Sequence, residues 1–235
     1  MYSDTLELLT KARQSGIPVV LVTHLDSGEQ TLCYREDEGR SAGLTDVQRE
    51  QARKVLQTDR CRVVLDNGEK LFFQPFNPPL HLIVVGAVHI TQALIVLARL
   101  CGFRVTLVDP RRAFATEQRF PGVNIMTEWP DDALRVLAPD SRTAVVTLTH
   151  DPKIDDPALE MALRSSAFYI GALGSRKTQQ ARLKRLAAAG LHPRQCDRIR
   201  GPVGLAIGAQ SAGEIAVSIM AQIIQTLRNE QGDAV

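Results

Sequence analysis

The chain has 235 residues, 44% of them hydrophobic and 23% charged, which is enough for a full core in one large domain or two small ones. Its 28 basic side chains against 26 acidic ones leave a formal charge of +2, too even a balance to point to a nucleic-acid partner, which calls for a concentrated basic patch. No apolar run reaches the roughly 18 residues of a membrane span, and Met1-Tyr2-Ser3-Asp4-Thr5-Leu6-Glu7 has neither the basic start nor the apolar stretch of a secretion signal, so a cytoplasmic protein is expected.

In chain order, Asp4 to Arg13 reads as a short amphipathic helix and Ile17 to His24 as a strand. Asp26-Ser27-Gly28 turns into a second strand around Thr31–Tyr34. Thr45 and Gln48 have the spacing of a capping box, which predicts a helix from there to Leu56. Cys61–Leu65 and Glu69–Phe73 flank Asp66-Asn67-Gly68, a hairpin signal, because Asn-Gly accepts the positive φ angles of a tight turn. Residues 1–76 thus form a small α+β module. The seam is Phe76-Asn77-Pro78-Pro79-Leu80, since paired prolines fit neither a helix interior nor a central strand.

From residue 80 to 235 strands alternate with helices. The strands are Leu82–Val85, Arg104–Val108, Val123–Met126, Ala144–Leu148 and Phe168–Ile170. The first, second and fourth are nearly unbroken Val/Ile/Leu runs, the mark of strands covered on both faces. Between and after them the pattern predicts helices over Thr91–Leu100, Asp131–Leu137, Pro157–Arg164 (with Asp156 as cap), Arg176–Ala189 and Ser211–Leu227. The fold class is therefore α/β, a Rossmann-like doubly wound parallel sheet of order 3-2-1-4-5.

Ligands of such sheets bind beyond the C-terminal strand ends, at the switch point. The first loop there, Gly86-Ala87-Val88-His89-Ile90-Thr91, keeps one of the three glycines of a dinucleotide loop. Val88 should crowd a backbone approach to pyrophosphate, and Thr91 should push the helix off the strand. His89 faces either a ligand phosphate at the helix start or solvent. Asp109 stands a little over 20 residues on, where an acid accepts ribose hydroxyls, and Arg111 and Arg112 suit phosphate or solvent. His150 and Asp151 lie across the switch point, either as a buried pair or facing a ligand. Gly171-Ala172-Leu173-Gly174-Ser175-Arg176-Lys177 offers a second anion site, with Ser175 as helix cap. Gly201–Ala209 is a further glycine-rich loop, either an anion site or a structural return. Cys33, Cys61, Cys101 and Cys196 lack any zinc or C-x-x-C spacing and read as free thiols, with a sulfur-handling role for one as the alternative.

Leu71–Pro79, the loop Gly86–Gln92, Val108-Asp109-Pro110-Arg111 with Phe114-Ala115-Thr116, Thr149–Lys153, Tyr169–Arg176, and Gly201–Ala209 with Glu214–Ile219 follow one another in an order that resembles the XdhC/CoxI family. Its members are maturation factors of xanthine dehydrogenase and aerobic carbon monoxide dehydrogenase. The resemblance covers nearly everything after the seam. It implies a chaperone without turnover of its own, rather than an enzyme. Such a chaperone binds molybdenum cofactor (molybdopterin or its cytosine dinucleotide), assists its sulfuration by a cysteine desulfurase, and delivers it to an apo molybdenum hydroxylase; a homodimer is compatible with this. The implied binding set adds Ala87 and Gln92 to Gly86, His89, Asp109, Arg111, His150, Asp151, Gly171, Gly174, Ser175 and Arg176, with no catalytic residue and no metal ligand. An NAD(P)-binding oxidoreductase and a scaffold without ligand are the alternatives. The chain reads as a short form with a diverged first third: the family's G-S-x-P-R and G-T-I-G-G-G motifs are absent, Ser41-Ala42-Gly43-Leu44 standing roughly where the latter falls. In the final loop, Ala206 and Gln210 replace a common Asp and Arg.

Overall fold

The computed structural model describes residues 3–35 and 43–230, and the chain divides into two compact units between Pro78 and Pro79. Met1, Tyr2, Ser41 and Ala42 lie outside the described residues.

The first unit contains α1 (Ser3–Gln14), β1 (Val19–His24), β2 (Gln30–Tyr34), α2 (Asp46–Thr58), β3 (Arg62–Asp66) and β4 (Glu69–Phe76). Its strands form an antiparallel sheet in the order β2-β1-β4-β3. Alternation puts Val20, Val22, Leu71 and Phe73 on the face under α2, against Ala52, Val55 and Leu56. Val19, Leu21 and Leu32 face Leu9 and Ala12 of α1. Thr45 and Gln48 close the capping box in both directions, and the Gln48 amide also donates to Asp66 at 2.8 Å, tying the helix start to the hairpin. Asn67 and Gly68 take φ values of 50° and 87°, as the hairpin turn requires.

The second unit is a doubly wound α/β domain. It runs β5 (His81–Val85), α3 (His89–Leu100), β6 (Arg104–Val108), β7 (Asn124–Met126), α4 (Pro130–Leu137), β8 (Thr143–Thr147), α5 (Pro152–Arg164), β9 (Tyr169–Ala172), α6 (Arg176–Ala188), α7 (Pro193–Cys196), β10 (Ile199–Arg200) and α8 (Ala212–Glu230). All neighbouring strands are parallel, in the order β10-β9-β8-β5-β6-β7. The expected five-strand order is present, extended by β10 at one edge. Every residue of the central strands β5 and β8 is buried. One face packs on Leu94, Ile95 and Ala98 of α3 and Ala216, Ile219 and Ile223 of α8; the other packs on α4, α5 and α6 through Leu134, Leu159 and Leu186. Each such side chain contributes about 1.5–3 kcal/mol by leaving water.

Three sequence expectations need correction. Helix α5 starts at Pro152, not Pro157: Asp151-Pro152 carries the same cap-then-proline signal five residues earlier, Asp151 accepts the Lys153 N–H, and Pro157 is absorbed inside the helix. Strand β9 extends to Ala172, taking Gly171 into the sheet. Strand β10 and helix α7 lie outside the expected set, being too short to carry a periodic signal. No described helix is long and apolar enough to cross a membrane.

Candidate functional site

The C-terminal ends of β5, β6, β8, β9 and β10 carry the loops singled out above. Gly86 ends β5 with φ +118°, and a Cβ there would stand 2.7 Å from Cγ2 of Thr149 beyond β8, so the switch point itself demands this glycine. Its N–H donates to Val108 O at 2.9 Å.

The first loop is braced from behind. Asp109 is fully buried, and its carboxylate accepts four hydrogen bonds: Ala87 N–H at 2.7 Å, Arg111 N–H at 2.9 Å, and Arg111 Nε and Nη2 at 2.9 and 2.7 Å. Burial pushes its pKa up, but these bonds outweigh burial and hold it below the usual range. Four bonds fill the usual acceptor sites of a carboxylate, so the acid expected to accept ribose hydroxyls is here engaged by protein groups. The same ion pair occupies much of Arg111, whose side chain remains 35% exposed. Thr91, expected to push α3 away, instead donates its hydroxyl to Gly86 O at 2.5 Å and is fully buried. Arg119, missed in the sequence, donates to Ala87 O at 3.0 Å and Phe114 O at 2.7 Å. Val88 is the N-cap of α3 and provides no side-chain cap bond. His89 and Gln92 are exposed on the first turn, Gln92 reaching Arg119 O at 3.4 Å.

Across the switch point, His150 and Asp151 do not form a buried pair. His150 is exposed and sits at φ +63°, in the left-handed region. Asp151 is a helix cap. The buried acid is Asp155, one turn into α5. It accepts Thr149 Oγ1 at 2.7 Å, Thr149 N–H at 3.3 Å and His150 N–H at 3.1 Å. The Arg182 guanidinium of α6, 2% exposed, lies 3.9 Å from it and donates to Gln179 Oε1 and Leu173 O. Burial raises the Asp155 pKa against the Thr149 bonds, and lowers that of Arg182 against the pull of Asp155. Sequence reading missed this pair because its members are distant in the chain and neither belongs to a motif.

Beyond β9, Ser175 caps α6, accepting the Thr178 N–H at 3.1 Å, and Arg176 and Lys177 are exposed on its first turn. Gly174 has φ +144° and lies tight against Thr178. Gly171 is a packing glycine inside β9, not a loop residue: a Cβ would meet Val203 Cγ2 at 2.6 Å and Tyr169 Cε1 at 2.8 Å. The Gly201–Ala209 return is knit to the sheet and α8 by Val203 N–H to Ala172 O and by Gln222, which bonds Gly204 N–H at 2.9 Å and Tyr169 OH at 2.6 Å. Next to it, Glu214 accepts the N–H groups of Gln210 and Ser211, which lower its pKa. None of the four cysteines is in a disulfide; Cys33 and Cys196 are buried, Cys61 and Cys101 exposed. Among the described residues no group of three or more His, Cys, Asp or Glu side chains could hold a metal ion.

A family model, the XdhC Rossmann domain, matches residues 82–223. A Bacillus subtilis (strain 168) protein, named as a probable subunit of xanthine dehydrogenase, is 36% identical over 162 residues, covering 68% of this chain and 47% of that protein. The molybdenum cofactor insertion chaperone PaoD of Escherichia coli (strain K12) is 35% identical over 95 residues, 40% of this chain and 30% of PaoD. The chain thus spans less than half the length of these relatives. A crystal structure of a xanthine dehydrogenase from Bacillus halodurans superposes with a TM-score of 0.73 at 28% identity, covering 99% of this chain and 66% of that one.

Proposed function

Since the chain belongs to the XdhC family, by its Rossmann domain over residues 82–223, we propose that it is a maturation factor that binds molybdenum cofactor beyond the C-terminal strand ends and delivers it to an apo molybdenum hydroxylase. The names of the relatives support the client class: one is a probable xanthine dehydrogenase subunit, the other a molybdenum cofactor insertion chaperone. Sulfuration of the cargo by a cysteine desulfurase before hand-over belongs to the same reading.

The observation that carries this reading is the pair of helix N-termini at the crevice. Helices α3 and α6 begin directly after β5 and β9, which are separated by β8 alone, and they lie on opposite faces of the sheet, so their starts flank its C-terminal edge from the two sides. Each offers unpaired N–H groups and a positive dipole end, and α6 adds exposed Arg176 and Lys177. An elongated anion, such as the pyrophosphate of a pterin dinucleotide, suits the positive charge of these two helix starts. His89, Gln92, His150 and Gly174 follow the C-terminal ends of β5, β8 and β9 at the same edge of the sheet. The filled carboxylate of Asp109 disfavours an NAD-like pose, which needs this acid for ribose.

The test is thermal unfolding of the purified protein with molybdopterin, molybdopterin cytosine dinucleotide or NADH added. A rise in Tm with a pterin form and none with NADH supports the reading, because a ligand of the folded state stabilises it by mass action. No rise with either pterin form, together with micromolar NADH binding, would overturn it in favour of an oxidoreductase. No rise with any of the three favours a scaffold without ligand.

A further inference from the structure

Strand β3 ends the antiparallel sheet of the first unit, and among the described residues no strand pairs with its outer edge. Its register with β4 places Val64 opposite Leu71 on the face under α2, and Val63 and Leu65 opposite Phe72 and Lys70 on the other face. Helix α1 covers that second face at Val19, Leu21 and Leu32. Val63 and Leu65 stay 56% and 69% exposed. The two-residue turn makes Asp66 and Glu69 a hydrogen-bonded pair, so by alternation Asp66, Val64 and Arg62 bond inward to β4, while the N–H and C=O groups of Val63 and Leu65 point out to the free edge. A bare, apolar edge of this kind is a template for another strand.

The sequence of the edge identifies that strand. Arg62-Val63-Val64-Leu65-Asp66 is complementary to itself when run antiparallel about Val64. Val63 then faces the second copy's Leu65, and both residues have outward backbone groups, so the two exchange N–H···O=C bonds directly. Arg62 faces the second copy's Asp66, opposite charges on one face. Among the described residues Asp66 accepts only Gln48 Nε2, through Oδ2, and exposed Arg62 makes one long 3.4 Å bond to Gln51, so both have capacity for a new partner. A register slipped by two residues would pair Val63 with Val63 and leave Asp66 without Arg62.

We infer that two copies of this chain associate by antiparallel β3–β3 pairing about Val64, joining their four-stranded sheets into one continuous sheet. The interface is isologous, closed by the two-fold axis. It stands independently of the cofactor-binding reading, since it uses only residues of the first unit.

The experiment takes the full chain with the two exposed cysteines removed (Cys61→Ser, Cys101→Ser) and measures mass by sedimentation from about 1 to 100 µM. A dimer is expected, and Val63→Lys with Leu65→Lys should move its midpoint to at least 100-fold higher concentration with an unchanged circular-dichroism spectrum. Val64→Cys should form an interchain disulfide on mild oxidation, because a residue on the axis meets its own copy at about 4.5 Å between Cα atoms. Val63→Cys should not, because its copy lies diagonally across. A monomer throughout the range, or a dimer indifferent to both lysines, overturns the proposal. A dimer that the lysines dissociate but Val64→Cys fails to cross-link overturns the register.

Discussion

The carboxylate of Asp155 accepts the backbone N–H of His150 at 3.1 Å and so holds that exposed residue at φ +63°. Left-handed backbone at a non-glycine residue is disfavoured, and it persists where surrounding bonds over-determine it. The acid is itself buried beside the Arg182 guanidinium. Asp155→Ala should therefore cost about 3 kcal/mol in urea unfolding, since it leaves a buried charge uncompensated as well as two N–H groups unbonded. Asp155→Ala with Arg182→Leu should recover part of that loss. A double-variant loss equal to the sum of the losses from Asp155→Ala and Arg182→Leu alone would show that the two side chains do not interact.

His81 opens β5, 4% exposed, with Nε2 2.9 Å from Thr106 Oγ1 and Nδ1 3.2 Å from Arg104 Nη2. A guanidinium only donates, so Nδ1 accepts and the proton of the neutral ring sits on Nε2. Burial, and then the Arg104 charge, bring its pKa down from 6.5 to about 4. The unfolded chain therefore binds the extra proton first as pH falls. Stability should be complete above pH 6.5, decline between 6.5 and about 4, and level off below, with a total loss from this residue on the order of 3 kcal/mol. Urea midpoints across that window for the wild type and His81→Gln should diverge as pH rises through it; parallel curves would remove His81 as the cause.

Gly171 lies within β9 with no room for a Cβ beside Val203 and Tyr169. Gly171→Ala should destabilise the domain by about 1–3 kcal/mol through overpacking. Val203→Ala placed in that background should return part of the loss, although alone it is itself destabilising. If the second substitution only adds to the first, the clash with Val203 is not the source.

Arg176 and Lys177 are exposed on the first turn of α6 and, among the described residues, their side chains make no hydrogen bond or ion pair. Replacing both with Ala should leave Tm within about a degree in the absence of ligand and weaken binding of a pterin dinucleotide about tenfold at low salt. The difference should shrink at high salt, where exposed charges are screened. Titration calorimetry at two ionic strengths checks this; unchanged affinity at both would move the anion contact to another loop.

The scaffold was legible wherever the physics was local. Unbroken apolar runs at Leu82–Val85 and Ala144–Leu148 marked strands buried on both faces, and both are central in the sheet. Thr45–Gln48 and Asn67-Gly68 each fixed a terminus or turn through bonds made within four residues. What stayed hidden depends on partners distant in sequence. Asp109 sits where a ribose-binding acid would, and only the folded chain shows Ala87 and Arg111 filling its oxygens. Asp155 and Arg182 meet across two helices. Gly171 looked like a loop glycine until Val203 closed over it. The two-residue β10 holds its place through pairing with β9 rather than through any pattern of its own.

The bracing of the first loop has a thermodynamic side. Ala87 is fixed on its N–H by Asp109 and on its C=O by Arg119, and Gly86 is fixed on its N–H by Val108 and on its C=O by Thr91. Three successive peptide groups leading into α3, Val85–Gly86, Gly86–Ala87 and Ala87–Val88, are thus set by the protein itself. A loop ordered in advance loses little conformational entropy when it closes on a ligand, so more of each contact survives as affinity. The same rigidity leaves the loop little freedom to reshape itself, so under the proposed reading selectivity at this end of the crevice would be a property of its fixed form.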